Sequence, residues 1–316
     1  MAATDQVRQG AGALRTGAAL LDRSERGKLA LSGKGAKEAL NALVTNDVEA
    51  LEPGHGLYAA VLTPKGRMLG DLRVLDAGDE LLLDTERAAL QAVFDALRRG
   101  LVGFDAELHK RTLQRGLLSL IGPRSRAVAG APDLPAREHS SRPGEIAGVP
   151  VVLVATDAGV DVLCASEQAA RVRAALLEAG AVEAQEADAE VLRVESGRPR
   201  YGIDLDDTTI PQEAGLNERA VSFSKGCYPG QETVARLHYK GRPTRHLRGL
   251  RLSEPAAAGA ALLLDGRRVG TLTSSVVSPT LGPIGLALVR REAEPGSTLH
   301  VGDTGASATV VELPFR

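Results

Sequence analysis

Between residues 113 and 186 short segments follow one another in the order strand, helix, strand, strand, helix, strand, and few folds accept that order. The apolar run Leu117 to Ile121 comes first, and GPRSRAVAG after it holds a short helix opened by Pro123. VPVVLVA and VDVLCA are two β-rich runs divided by TDAG, a hairpin connection. With Ser166 as N-cap, EQAARVRAALLEAG then places Val172, Leu176 and Leu177 on one helical face and stops at Gly180. This is the split βαβ, ferredoxin-like order. The stretch 130–148 is expected to be an insertion within it, a mobile surface loop.

A similar order occurs earlier. KLALS, the helical KGAKEALNALV, the strands LYAAVLT and GRMLGDLRVL, and LLLD lead into a second helix, ERAALQAVFDALRRG. That helix carries Leu90, Val93, Phe94 and Leu97 on one face, with Thr85 before it and Arg98-Arg99-Gly100 closing it. After residue 242 the texture changes to short β runs separated by Gly, Pro and Asp, from LRGLRL to SATVVEL, the pattern of a small all-β sandwich or barrel. The expected fold class is therefore α+β, with two related ferredoxin-like units and a C-terminal β domain. The expected domains are 1–112 with 187–241, 113–186 and 242–316.

Composition narrows function. Lys and Arg (38) nearly balance Asp and Glu (40), and the net charge of -2 gives no electrostatic drive toward nucleic acid or an anionic membrane. Aromatic residues are only 3%, with no Trp, which is poor material for stacking on single strands. The first thirty residues hold neither an apolar signal segment nor a membrane span, so a cytoplasmic protein is expected, with Cys164 and Cys227 as free thiols. The nucleotide-loop patterns fail: GAGALRTG has Arg15 where a third glycine is needed, and no GxSxG elbow occurs. Cys227, His238 and His246 have no zinc spacing, and no metal is expected.

One of those thiols is oddly placed. Cys227 stands in KGCYPGQE, residues 225–232, between a Lys-Gly pair and a Pro-Gly turn rather than among apolar residues. Pro229-Gly230 suits a type II turn; equally, Pro229 opens a helix whose first turn holds Gln231 and Glu232. In both readings Lys225 and free N–H groups near Cys227 favour the thiolate, and Gly226 and Gly230 clear space for a close approach. Cys164, inside VDVLCA, is read as a core cysteine.

The second stretch is RVESGRPRYGIDLDDTTIPQEAGL, residues 193–216. A carboxylate such as Glu195 accepts two parallel N–H bonds, as a pterin edge offers, and Arg198 and Arg200 suit an anionic glutamate tail. On residue types alone the same stretch is a solvated loop with arginine–carboxylate pairs worth little each.

Together these stretches resemble a known family. KGCYPGQE matches the KGC[FY]xGQE signature of the YgfZ-type folate-binding proteins, relatives of the T-protein (aminomethyltransferase) of the glycine cleavage system. RVESGRPRYGIDL with PQEAGL is similar to the superfamily's pterin-binding segment, and the N-terminal block from LSGKGAKEAL and the closing VGTLTSSVVSP…VVELPF resemble its two ends. The resemblance implies an aminomethyltransferase-like three-domain cloverleaf around a central channel, with tetrahydrofolate or a one-carbon derivative as cofactor. It also implies iron-sulfur client enzymes, tRNA-modifying ones among them, or assembly proteins as partners. Glu195 would hold the pterin, with Arg198, Arg200 and Asp71 as further folate contacts. Cys227 would be the working thiol beside Lys225, framed by Gly226, Tyr228, Gly230, Gln231 and Glu232. The superfamily's Asp-Asp pair is reduced here to Gly70-Asp71, which argues against ordinary aminomethyl transfer.

The leading expectation is a tetrahydrofolate-binding factor for assembly or repair of iron-sulfur enzymes. The alternatives are a folate-dependent aminomethyl or methyl transferase with Asp71 as proton relay, and a folate-gated interaction module.

Overall fold

A computed structural model describes residues 10–303 and 305–315. The chain parts into two compact units, the first running up to residue 61 and resuming over 71–189, the second made of 62–70 and the chain from 190 onward.

In the first unit, residues 10–16 are helical (α1) and β1 (Ala19–Asp22) follows. Next come β2 (Gly27–Ser32), α2 (Ala36–Asn41), β3 (Gly56–Leu62), β4 (Met68–Asp76), β5 (Glu80–Thr85), α3 (Leu90–Gly100) and β6 (Glu107–Lys110). Strands β2 to β6 form one sheet in the order β3-β4-β5-β2-β6. Its last four members are in ferredoxin-like order, and β3 is an added edge. The predicted apolar face of α3 is buried at Leu90, Val93 and Leu97, while Phe94 is half-buried under the Lys110 ammonium, 4.2 Å from its ring centroid. Thr85 does not cap α3; it ends β5, and its hydroxyl donates to the Asp71 carbonyl at 2.5 Å.

The second half of this unit contains β7 (Arg115–Ile121), α4 (Ser125–Val128), β8 (Ser141–Ile146), β9 (Val149–Ala155), β10 (Gly159–Ala165), α5 (Ala169–Glu178) and β11 (Val182–Glu183). Their sheet has the order β11-β1-β7-β10-β9-β8. The ferredoxin-like sequence β11, β7, β10, β9 is there, but β1 has been inserted beside β7, parallel to β11 and antiparallel to β7. The expected surface loop 130–148 is corrected in part: Ser141–Ile146 pairs along all of β9, and Ala131 and Leu134 are buried. Ser166 opens a 3-10 turn rather than capping α5, whereas Gly180 takes the left-handed conformation, φ 99°, that ends it.

One face of this sheet buries Leu118, Leu120, Val160 and Val162 under Val172 and Leu176 of α5. The other meets the five-stranded sheet through Leu117, Val154 and Leu163 against Ala30, Leu75 and Leu82. Each fully buried leucine here contributes about 2–3 kcal/mol by leaving water.

Beyond its 62–70 segment, the second unit resumes within α6 (Glu186–Glu195) and continues through α7 (Asn217–Ala220) and α8 (Gln231–Lys240). It ends in β12 (Arg245–Leu252), β13 (Ala261–Leu264), β14 (Arg267–Ser278), β15 (Gly282–Arg290), β16 (Thr298–Val301) and β17 (Ala306–Val311). These strands close into a barrel in the order β12-β15-β14-β13-β16-β17. Leu250, Leu262, Leu272, Val289, Leu299 and Val310 fill it. Closure leaves no unpaired edge. Among the described residues no helix is long and apolar enough to cross a membrane.

Candidate functional site

The first reading of the Pro-Gly pair is the one adopted. The Gln231 amide donates to the Tyr228 carbonyl at 3.2 Å, and Gly230 at φ 84°, ψ 0° makes a type II turn that hands the chain to α8. Only glycine fits there, because an added Cβ would lie 2.6 Å from the Thr63 carbonyl oxygen and 2.8 Å from Gly66 Cα. The turn is thus packed on the 63–66 turn of its own unit. Gly226 is different: a Cβ there meets nothing within 4 Å, so no backbone approaches it.

Tyr228 is buried, and burial pushes its hydroxyl up to about 12. The Lys225 ammonium sits 4.9 Å from the Tyr228 ring centroid, a cation–π contact that fixes the start of the loop. Cys227 is exposed between them in sequence, outside α8, whose first residue is Gln231. Gln231 is half-buried and Glu232 exposed in the first turn of that helix.

Glu195 is the last residue of α6. Its Oε1 accepts the Ser278 hydroxyl at 2.5 Å, and its carbonyl accepts the Phe315 amide at 3.2 Å. The Ser278 oxygen in turn accepts the amides of Thr280 and Leu281 at 3.2 and 3.0 Å, so the end of β14 holds the carboxylate in place. Arg198 and Arg200 follow as half-buried residues, with the Arg200 guanidinium 3.7 Å from Glu190 and its amide 3.0 Å from Asp204. The neighbouring acids are structural. Asp204 is buried against Arg193 (2.6 Å), Thr273 (2.5 Å) and Ser274 (2.7 Å). Against the upward push of burial, hydrogen bonds from Thr208 and Thr209 hold Asp206 below the usual carboxylate range.

In the other unit Asp71 lies on β4, buried, with Tyr58 of β3 donating to its Oδ2 at 2.5 Å. Burial pushes the Asp71 carboxyl up to about 6, and the same burial with the adjacent aspartate holds the Tyr58 hydroxyl well above its usual range. Asp71 beside Gly70 is therefore not an ordinary surface carboxylate: it is buried, and burial raises its carboxyl to about 6. Two residues along the strand, Arg73 bridges Asp84 (3.0 Å) and Asp161 (2.7 Å), and Ser119 donates to Asp161 at 2.6 Å. Burial raises Asp84, but Arg26 and Arg73 overcome it and leave the carboxyl low.

Among the predicted residues the structure brings Lys225 to Tyr228. It gives Glu195 a partner that sequence reading did not name, Ser278. Tyr58, Arg73 and Asp84 were also missed. Their signal was readable in principle: charges two apart inside apolar strands, as in GDLRVL, must share a face.

Two family models match the chain on either side of residues 226–244. The GCVT N-terminal domain matches residues 1–225 and the glycine cleavage T-protein C-terminal barrel domain matches 245–316. The chain is 32% identical over 316 residues to an aminomethyltransferase of Rubrobacter xylanophilus, covering 96% of this chain and 84% of that protein. A putative chloroplastic transferase of Arabidopsis thaliana is 30% identical over 314 residues, covering 96% and 72%. The crystal structure of the glycine cleavage system aminomethyltransferase T from Bartonella henselae superposes with a TM-score of 0.88 at 25% identity, covering 98% of this chain and 89% of that one.

Proposed function

The chain belongs to the glycine cleavage T-protein (GCVT) family, and from that premise we propose that it is a folate-dependent one-carbon transferase, moving an aminomethyl or methyl group. The observation that carries this is Asp71: a buried carboxyl at about 6, hydrogen-bonded to Tyr58, in a chain whose relatives are aminomethyltransferases. Fold alone would not suffice, because one scaffold hosts many activities.

The residues fit tetrahydrofolate. In this reading the Glu195 carboxylate, held by Ser278, accepts a pterin's adjacent N–H groups, and Arg198 and Arg200 supply cations for a glutamate tail. The folate, when bound, supplies the nitrogen that carries the one-carbon unit. Asp71 takes or returns a proton at Oδ2 as that unit changes hands, the amino group leaving as ammonia and the carrier sulfur as its thiol, and Tyr58 keeps Oδ2 oriented. The test is turnover by the purified protein with an aminomethylated lipoyl carrier protein and tetrahydrofolate, read as methylenetetrahydrofolate. Wild type should turn over and Asp71→Asn should lose about a hundredfold or more, the range of a general acid–base group. No turnover by the wild type overturns this reading.

A second reading rests on Cys227, whose exposure in KGCYPGQE favours a YgfZ-type role in supporting iron-sulfur enzymes, with folate bound and the thiol at work. Here Cys227→Ser fails to restore iron-sulfur enzyme activity in cells lacking the protein, while folate binding is kept. Full restoration sinks it.

A further inference from the structure

The charged residues of the five-stranded sheet are arranged in transverse rows. Arg73 of β4 pairs with Asp84 of β5, and Asp84 pairs with Lys28 of β2, so these three lie side by side on one face. Two residues farther along the same face come Leu75, Leu82 and Ala30, the apolar row that meets the other sheet. Just past the strand ends lie Glu86, which follows Thr85 of β5, and Arg26, which precedes Gly27 of β2; Thr85 opposes Gly27 and its hydroxyl donates to the Asp71 carbonyl at 2.5 Å, which brings this corner of the sheet to Asp71 of β4. The side chains bear this out at one end: Arg26 hydrogen-bonds Glu86 and reaches Asp84 at 2.8 Å. In the inner row the central carboxylate lies between two cations. At this corner Glu86 pairs with Arg26 and the Asp71 carboxyl accepts from Tyr58.

We infer that Arg26 and Glu86 are positioning residues for Asp71, a charge pair at the corner of its sheet that sets how firmly its carboxyl holds a proton. Resting on the transferase reading, this makes Arg26 part of the reaction's apparatus without contact with substrate. The two act with opposite sign: the Glu86 charge raises Asp71 and the Arg26 charge lowers it, after the larger upward push of burial and the opposing Tyr58 hydrogen bond. The other groups around the aspartate are Tyr58 from β3, Lys28 from β2, Asp84 from β5 and Arg73 from β4 itself, with Asp161 of β10 reached through Arg73. Of these, Lys28 is turned away, its ammonium donating to the carbonyls of Ser24 and Arg26 at 2.7 and 2.9 Å, and Arg73 is held by its two aspartates. The Arg26 charge acts downward on both Asp71 and Tyr58.

The experiment is a pH titration of the Asp71 carboxyl by carbon NMR on the full chain carrying carboxyl-labelled aspartate, its resonance identified by loss in Asp71→Asn. Arg26→Met should move the midpoint up by about one unit, Glu86→Gln should move it down by a similar amount, and the double variant should return near wild type. Arg26→Lys, which keeps the charge, should stay near wild type. Opposite shifts that cancel are not produced by a merely structural role. Single variants that move the midpoint in one common direction, or not at all, overturn the inference. If Arg26→Met fails to fold, Glu86→Gln and Arg26→Lys decide it, and an unmoved midpoint in Glu86→Gln overturns it. The acid limb of the turnover profile should follow the titration. A wild type without turnover refutes the transferase reading, whereas the titration alone judges the charge pair.

Discussion

Ser278 donates its hydroxyl to Glu195 at 2.5 Å, joining the end of β14 to the end of α6. If Glu195 recognises the pterin, Glu195→Ala leaves paired N–H donors without an acceptor, at a cost of about 1–3 kcal/mol. Titration calorimetry with tetrahydrofolate should then show affinity falling roughly tenfold or more. Ser278→Ala should weaken binding by a smaller factor, about threefold, because the carboxylate remains but loses its anchor. Equal affinities in all three proteins would remove Glu195 from the folate site.

Asp71 makes stability depend on pH in a direction opposite to most carboxylates. Its carboxyl is raised in the fold to about 6 from an ordinary 3.8, so its contribution is fully present below pH 3.8 and is lost as pH rises through 6. Relative to wild type, Asp71→Asn should therefore gain stability between pH 4 and 8, by roughly 3 kcal/mol at the most. Urea unfolding of both proteins across that range checks it. A difference independent of pH would mean the aspartate is not perturbed.

The two thiols should behave differently. Cys227 is exposed and Cys164 fully buried in β10, where burial also pushes the thiol up. Alkylation of the folded protein near neutral pH should label Cys227 alone, located by peptide mass, and Cys164 only after unfolding. Cys227→Ser should leave the unfolding midpoint unchanged, since an exposed side chain forfeits little packing.

The two glycines flanking that loop are also separable. Gly230→Ala must place a Cβ at φ 84° and 2.6 Å from the Thr63 carbonyl oxygen, and should destabilise by about 2 kcal/mol or more. Gly226→Ala meets open space and should be near neutral. Chemical denaturation of both variants measures the contrast, and equal effects would contradict the packing of the 63–66 turn on the type II turn.

What the chain discloses before folding is its local order. The runs around Leu117, Val160 and Val172 and the six β runs after residue 242 carry their own periodicity, so both ferredoxin-like units and the barrel were readable. β8 was not, because Pro143 and Gly144 interrupt it; as an edge strand it tolerates both. β1 was missed because four residues carry little periodicity and its place beside β7 comes from pairing across the sheet. Site residues divide the same way. Cys227 and Glu195 stand out through their neighbours in sequence, while Arg26 and Ser278 become visible only when the fold brings separate segments together.

The row Lys28, Asp84, Arg73 also acts as a key for strand alignment. Sliding β5 by one residue would set Arg73 against Leu83 or Thr85 and turn Asp84 to the opposite face, away from Arg73 and Arg26, the cations that pair with it. Apolar rows alone penalise such a slip weakly here, since Leu81, Leu82 and Leu83 are alike on either face. The buried Asp84 makes it costly, because a slip would leave its carboxylate in the interior without the two arginines that pair with it. An all-leucine β5 would have several nearly equivalent alignments; with Asp84 in it, the strand has one.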